Sequence, residues 1–413
     1  MSLHLKNKSS NLSGTISIQG SKSISNRILI IRELSNSNNN IENLSSSDDT
    51  NNLTFHLNMI NSCEISGIPM VVDVKNAGTV ARFLTVLLAF RDGLWLLTGN
   101  SRMKQRPMVG LVDALRLLGA DITYTEAIGF LPIRIIGKDI RGGEVDIDVT
   151  KSSQYVSALM MIGPYLEEGL MLNFSGHPVS FPYIEMTKKL MSTYGANVSL
   201  NKKSVAIKHC VYNFCDSVIE PDWSSASYWY EVVALSETGN IFIPGLQKNS
   251  IQGDKVLPDV FNQLGVITTF TKDGIRISKS TNIVEEFVYD FEGCPDIVPS
   301  VMATCAALGV NSKFININHL AYKESNRIES LTTELLKIGA IIKRNDNSYS
   351  LSVVEIAHNK LVFDTHQDHR IAMCLAPLVL KYDKIEIRNP EVVNKSYPEF
   401  WDDFKKLNFA SIK

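Results

Sequence analysis

Small polar residues followed by a cation, placed where an apolar helix is about to begin, recur along this sequence. In QGSKSISNRILI (Gln19–Ile30), Gly20, Ser21, Lys22 and Ser23 precede an apolar-periodic run and Arg27 follows one turn later. Free N–H groups at a helix start carry partial positive charge, so a Lys and an Arg beside them make an anion site. It is not a P-loop, which needs Gly-Lys-Ser contiguous with another glycine upstream. The design returns in KNAGTVARFL (Asn76, Gly78, Thr79, Arg82) and in TGNSRMKQRP, where Arg102, Lys104 and Arg106 come before a proline. KSSQY offers Ser152, Ser153 and Gln154, donors suited to phosphate or hydroxyl oxygens. DWSSASYW, YKESNR and HQDHR are further starts, bringing Lys323, Glu324, Arg327 and Arg370.

Singly, each has a plainer reading. A Ser-Ser pair caps a helix, a lone Arg is solvated, and Glu324 with Arg327 makes a helical ion pair. His366 and His369 read as turn or structural imidazoles, because no third metal ligand is in view. The number of such starts argues for more. If repeated units turn them toward a common centre, they form a polyanion pocket for two small phosphorylated or carboxylated molecules.

Two acids stand among these cations. Asp296, in GCPDIVPSVMA, opens an apolar helix and reads equally as an N-cap or as a reacting group. Glu324 lies between Lys323 and Arg327. Acids in such surroundings are candidates for proton transfer, with cations lowering and desolvation raising the carboxyl pKa.

The elements that must hold these residues repeat. LRLLGADITYT, LMSTYGANVSL, FNQLGVITTF and LLKIGAIIKRN each read as helix, glycine and strand; their glycines, 119, 195, 265 and 339, are 76, 70 and 74 residues apart. A glycine there suits the left-handed position that ends a helix. Phe55–Ser66 and the C-terminal FWDDFKKLNFASIK read as weaker copies, so six α/β units fill the chain. Val80, Phe83, Leu84, Leu87 and Leu88 make one helical stripe; Met108, Leu111, Val112, Leu115 and Leu118 a second; Ile371, Cys374, Leu375 and Leu378 a third. LPIRIIG, EVDIDV, GIRISKS and KIEIRN alternate as strands. Ser35–Asn52, rich in Asn and Ser, reads as a solvated loop.

Composition sets the outer limits. At 413 residues the chain exceeds one ordinary core, so two domains are expected. Hydrophobic content of 44% and charged content of 20% fit a globular protein rather than a disordered or fibrous one. A net charge of −2 argues against a general nucleic-acid binder. Apolar runs such as Ala372–Leu380 are core-sized, and MSLHLKNKSS lacks the apolar segment of a secretory signal. The six cysteines (63, 210, 215, 294, 305 and 374) lack metal-ligand spacing and read as reduced core thiols of a cytoplasmic protein.

GSKSISNR, NAGTVARFL, RMKQRP, SSQY, SSASYW, PD, KESNR, QDHRIAM and NKSYPEFW occur in the order found in the 5-enolpyruvylshikimate-3-phosphate synthases. The sequence resembles that family from Gly20 to about Trp401. The resemblance implies an α/β (α+β) fold of two similar domains, each of three βαβαββ repeats in an inside-out α/β barrel, with helix N-termini facing the interdomain cleft. It places one domain at about residues 18–221 and the other at 1–17 plus 222–413, joined by a two-strand hinge.

The implied reaction transfers the enolpyruvyl group of phosphoenolpyruvate to the 5-hydroxyl of shikimate 3-phosphate and releases phosphate, with no metal or organic cofactor. By resemblance, Lys22, Ser23, Arg27, Ser152, Ser153, Gln154, Ser180, Asp296 and Lys323 bind shikimate 3-phosphate. Lys22, Asn76, Gly78, Arg106, Gln154, Arg327, Arg370 and Lys395 bind phosphoenolpyruvate. Asp296 corresponds to the acceptor of the hydroxyl proton and Glu324 to the donor at the methylene carbon, with Lys22 also considered for proton work. The family is usually monomeric, and Gly78 implies sensitivity to glyphosate.

Departures are few: His319 stands where the family usually has a substrate-contacting Asn, Gln19 replaces a frequent Pro, and Asp222-Trp223 replaces Asp-Ala or Asp-Pro. Two other functions compete. UDP-N-acetylglucosamine enolpyruvyl transferase shares fold and donor, but carries a reactive Cys in the loop matching Thr98–Pro107, where this chain has none. A non-catalytic polyanion-binding module, such as a nucleic-acid binder, predicts an extended basic stripe with interleaved aromatics.

Overall fold

The computed structural model describes residues 2–62, 67–355 and 360–412. The chain divides into two compact units, residues 22–219 and residues 1–21 with 220–413. Within the second of these units, Gly20 bridges Pro221, Ser21 N–H donates to the Glu220 carbonyl, and Asp222 N–H to that of Gln19.

One repeat fixes the pattern. The strand Met70–Asp73 leads through the helix Gly78–Phe90 to the parallel strand Gly93–Thr98. The helix Val109–Leu117 then leads to the hairpin Asp121–Tyr124 and Ile133–Gly137, whose second strand pairs antiparallel with Gly93–Thr98. The sheet order is therefore first, second, fourth, third strand. The same βαβαββ order returns over Gly143–Ile207 and Glu286–Val353.

In two further repeats the chain ends close the sheet. The strand Asn11–Thr15 lies parallel to Thr238–Pro244, and Ser2–Asn7 fills the fourth place beside Lys384–Arg388 and Ala410–Ile412. The smaller unit is thus inserted within a repeat of the larger one. Among the described residues its third repeat has a pair of two-residue strands, Ile41–Glu42 parallel to Ser217–Val218. The sheets stay open, so the expected barrel takes the form of separate sheets with helices at the centre of each unit.

Those central helices are the first of each repeat. Every residue of Trp223–Leu235 is buried, as is every residue of His369–Leu375, and both pack against Val298–Leu308. In the other unit the helices Lys22–Leu34, Gly78–Phe90 and Ser153–Ile162 pack on one another. A helix apolar on all sides is stable only when enclosed, which is why these sequences lack a polar face.

Gly119, Gly195 and Gly339 have positive φ between helix and strand, as expected; Asn408 takes that position in the last copy. Gly265 also has positive φ but lies inside the strand Leu264–Thr271, at a bulge. The reading of Ser35–Asn52 as a solvated loop fits its first part, where Asn36, Asn38, Asn39, Asn40 and Asn43 are exposed, and is corrected from Ser45 onward. A helix begins at Asp48, capped by Ser47; Ser45, Ser47 and Thr50 are buried in a hydroxyl network with Asn26, and Asp49 is buried as well. Ser and Thr there marked a polar loop, but the hydroxyls of Ser45, Ser47 and Thr50 bond inward. The cysteine reading holds for Cys294, Cys305 and Cys374; Cys210 is half-buried and Cys215 exposed. Cys63 and the end of the Phe55–Ser66 copy lie outside the described residues. No helix among the described residues is long and apolar enough to cross a membrane.

Candidate active site

The predicted residues lie where chain leaves the ends of the two parallel strands of each repeat and enters a helix. Ligands gather at this edge of α/β units because strand ends and helix N-termini meet there. The caps come from the predicted motifs: Ser152 accepts from Gln154 N–H, Asp222 from Ser225 N–H, Asn326 from Glu329 N–H and Asp368 from Arg370 N–H.

In the unit of residues 22–219, Lys22 is the first residue of its helix and its Nζ lies 3.1 Å from Asp49 Oδ2. Asp49 escaped the sequence reading; its signal is the Ser-x-Asp-Asp start of the second helix, within the segment taken for a loop. Arg27 is buried between the rings of Phe83 and Tyr183. Its Nε donates to Thr187 Oγ1 at 2.7 Å, Nη1 to the Ser23 carbonyl at 2.8 Å and Nη2 to Ser157 Oγ at 3.1 Å. Burial lowers its pKa to about 10, so it remains charged at neutral pH.

Gly78 opens its helix against Arg106: a Cβ on Gly78 would lie 2.5 Å from Arg106 Nη1. The neighbouring Pro107 carbonyl accepts from Arg82 Nη2 at 2.9 Å and from Tyr155 Oη at 2.6 Å. Arg82 also donates to the Gly78 carbonyl at 3.1 Å. Arg82 and Tyr155 therefore fix the Gly78 and Arg106 segments to each other, a role that sequence spacing does not reveal. Gln154 Nε2 donates to Thr79 Oγ1 at 3.2 Å, linking two of the predicted starts. Asn76 and Ser152 are half-buried, and Ser153 is buried. Ser180 is buried with φ of 56° immediately before the helix Phe181–Thr193.

In the other unit, Arg327 is the hub. It is 1% exposed and touches three carboxylates: Nη1 to Asp296 Oδ1 at 3.1 Å, Nη2 to Glu324 Oε2 at 2.8 Å, and Nε to Asp368 Oδ2 at 2.9 Å. Arg370 Nη2 lies 3.0 Å from Asp296 Oδ2, and its Nη1 is 3.4 Å from Tyr228 Oη. Asp296 is not an N-cap; it lies in the 3₁₀ turn Pro295–Ile297, and Ile297 precedes the helix. The helix-type spacing of Glu324 and Arg327 does produce an ion pair, but a buried one ahead of the helix.

The charges here are set by compensation. Burial alone would push the Asp296 carboxyl up, yet Arg370, Lys323 and Arg327 outweigh it and hold it well below the usual carboxylate range. Burial likewise works against the Arg327 charge, and Asp368, Glu324 and Asp296 reverse it, raising its pKa. Asp254, also missed in the sequence, behaves oppositely. Burial and the nearby Asp296 push its carboxyl up to about 7, and its Oδ2 is 2.5 Å from Ser224 Oγ.

Lys323 is half-buried beside this cluster; Lys395 ends the 3₁₀ turn Pro390–Lys395. His319 is pushed down to about 3 by burial and by Lys323, so its imidazole is neutral at working pH, and its Nε2 is buried without a hydrogen-bond partner among the described residues. No cluster of three or more His, Cys, Asp or Glu suited to a metal occurs among the described residues.

Comparisons with known proteins place the whole chain in one family. A family model described as EPSP synthase (3-phosphoshikimate 1-carboxyvinyltransferase) matches residues 6–404. The chain is 42% identical over 410 residues to a 3-phosphoshikimate 1-carboxyvinyltransferase of Bacteroides fragilis (strain YCH46), covering 98% of each. It is 32% identical over 419 residues to the enzyme of that name from Haemophilus influenzae (strain PittEE), covering 95% of this chain and 96% of the relative. Among solved structures, an EPSP synthase from Acinetobacter baumannii superposes with a TM-score of 0.78 over 100% of this chain and 99% of its own, at 18% identity, which establishes a shared fold.

Proposed function

The chain belongs to the EPSP synthase family, and on that footing we propose how its residues carry out the family's reaction. The reaction is transfer of the 1-carboxyvinyl group of phosphoenolpyruvate to the 5-hydroxyl of shikimate 3-phosphate, with release of phosphate, a step of the shikimate pathway toward chorismate and aromatic amino acids. The observation that carries the residue assignments is the group formed by Asp296, Glu324, Arg327 and Arg370, two acids paired directly with two buried guanidinium groups.

Lys22, Ser23, Arg27, Ser152, Ser153, Gln154, Ser180, Asp296 and Lys323 hold shikimate 3-phosphate. Lys22, Asn76, Gly78, Arg106, Gln154, Arg327, Arg370 and Lys395 hold phosphoenolpyruvate. Arg27, anchored by its bonds to Thr187, Ser23 and Ser157, shapes the site and supplies positive charge. Buried guanidinium groups suit this work, because phosphate and carboxylate are recognised by their planar array of donors.

Glu324 gives a proton to the methylene carbon, which leaves C2 electrophilic. Asp296 takes the proton of the 5-hydroxyl, and the oxygen bonds to C2, giving a tetrahedral intermediate that still carries phosphate. The Glu324 carboxylate then takes a proton back from the methyl carbon, and departure of phosphate restores the double bond. Before substrate binds, Asp296 is a weak base, since Arg370, Lys323 and Arg327 stabilise its charge. Phosphoenolpyruvate divides the two arginine charges with the carboxylate, so its basicity rises once the donor is bound. Holding two polyanions in line requires this density of cations, and orientation supplies much of the acceleration.

We read the working unit as a single chain and its place as the cytoplasm, as the resemblance to the family implies. The test is phosphate release from phosphoenolpyruvate with shikimate 3-phosphate, beside a matched reaction with UDP-N-acetylglucosamine. Release with shikimate 3-phosphate alone, abolished in Asp296→Ala, is expected. Release with the nucleotide sugar instead would overturn the acceptor assignment.

A further inference from the structure

The helix Arg327–Leu336 is fastened twice to the loop ahead of the helix His369–Leu375. At its start, Arg327 Nε donates to Asp368 Oδ2 at 2.9 Å. Two turns later, on the same side of the helix, Glu334 is buried and accepts three hydrogen bonds. Its Oε1 takes one from His366 Nε2 at 2.8 Å; its Oε2 takes one from the Asp364 N–H at 2.9 Å and one from Lys337 Nζ at 2.6 Å. Between the two fastenings, His366 and Gln367 both adopt left-handed conformations, with φ of 50° and 56°. Neither is glycine, so each is uphill and persists only where its surroundings over-determine it.

The outcome of that strained turn is the placement of Asp368. Its N–H donates to the Thr365 carbonyl at 2.9 Å. Its carboxylate, fully buried, receives Arg327, Ser325 Oγ at 3.1 Å and the Arg370 N–H at 3.0 Å. The two arginines proposed to hold phosphoenolpyruvate thus share one carboxylate, whose position depends on a turn that Glu334 and His366 hold in place.

We propose that Glu334 and His366 are positioning residues for the phosphoenolpyruvate site, acting through Asp368 on Arg327 and Arg370, and that protonation of His366 tightens their hold. This rests on the reading of Arg327 and Arg370 as ligands of phosphoenolpyruvate. The groups facing His366 are Glu334, Asp364 and Lys337. The bond to Glu334 raises the His366 pKa above the ordinary imidazole value, against burial and Lys337; burial pushes Glu334 up, but His366, Lys337 and the Asp364 N–H outweigh it. The His366–Glu334 bond is charge-assisted below the raised imidazole pKa and weaker above it. Phosphoenolpyruvate affinity therefore declines as pH rises through that value.

The experiment compares His366→Ala and His366→Gln with the native enzyme for kcat and for both KM values, from about pH 6 to about pH 9. His366 is partly exposed, so both chains are expected to fold. His366→Ala should raise the phosphoenolpyruvate KM about tenfold, the scale of one lost charge-assisted bond, with kcat and the shikimate 3-phosphate KM within about twofold. His366→Gln keeps a neutral donor, so its phosphoenolpyruvate KM should exceed the native value at low pH and converge on it at high pH. Taking the ratio to the native enzyme cancels titration of the substrate's own phosphate. A ratio of one at every pH, or equal losses in kcat and both KM values at every pH, overturns the proposal. Arg370→Lys in the same assays separates the two levels. If it raises the phosphoenolpyruvate KM while His366→Ala does not, the positioning role alone fails; if it leaves that KM unchanged, the ligand assignment fails and this inference with it.

Discussion

A methyl group on Gly78 would lie 2.5 Å from each terminal nitrogen of Arg106. The three nearest atoms all belong to the Arg106 guanidinium, the far end of a flexible side chain. The helix start can accept alanine only if the guanidinium moves.

Gly78→Ala is therefore expected to fold normally and to bind phosphoenolpyruvate about tenfold more weakly, as one bidentate anion contact is displaced. The native chain should be inhibited by glyphosate, as its resemblance to the family implies, and the variant should resist it. Steady-state KM values and inhibition curves check both. Full native activity in high glyphosate, or an unchanged phosphoenolpyruvate KM in the variant, would count against this reading of Gly78 and Arg106.

Glu324 accepts from Arg327 Nη2 through Oε2 at 2.8 Å. Replacing it by Gln preserves size and a hydrogen-bonding group while removing the acid. Turnover should fall by roughly two to four orders of magnitude, the range of general acid–base catalysis, while phosphoenolpyruvate binding measured directly changes by only about severalfold. Parallel losses in binding and turnover would make Glu324 a structural partner of Arg327.

Glu231 offers a test of stability away from the chemistry. It lies mid-way along the buried helix Trp223–Leu235, and neither carboxylate oxygen has a hydrogen-bond partner among the described residues. Burial pushes its carboxyl well above the usual range. The folded chain thus keeps a proton that the unfolded chain gives up near the ordinary carboxyl pKa, so folding stability falls as pH rises through the interval between the two values. Glu231→Met should stabilise the protein by about 1–3 kcal/mol, and by more at neutral than at acid pH. Thermal melts of both chains at the two pH values measure this; a variant that melts lower at neutral pH refutes it.

Much of the molecule was legible in the sequence because helix starts carry local chemistry. Ser152 and Asp222 reveal caps, Lys22, Arg106 and Arg370 reveal charge, and the recurring glycines give the repeat. The order of motifs then pointed to the family and its reaction. What sequence could not supply is which side chains meet. Asp49 on Lys22, Tyr155 and Arg82 on the Pro107 carbonyl, and Glu334 with His366 behind Asp368 pair residues between 25 and 48 positions apart. Asp296 read as well for a cap as for a catalytic acid, because a single carboxylate before a helix satisfies both patterns. The fold removes the cap, placing Asp296 in a turn ahead of the helix, and brings Arg327 and Arg370 to its two oxygens. Patterns of three or four residues register local hydrogen bonding, whereas the field at a buried carboxylate is summed over neighbours from distant segments, and tertiary packing alone chooses those neighbours.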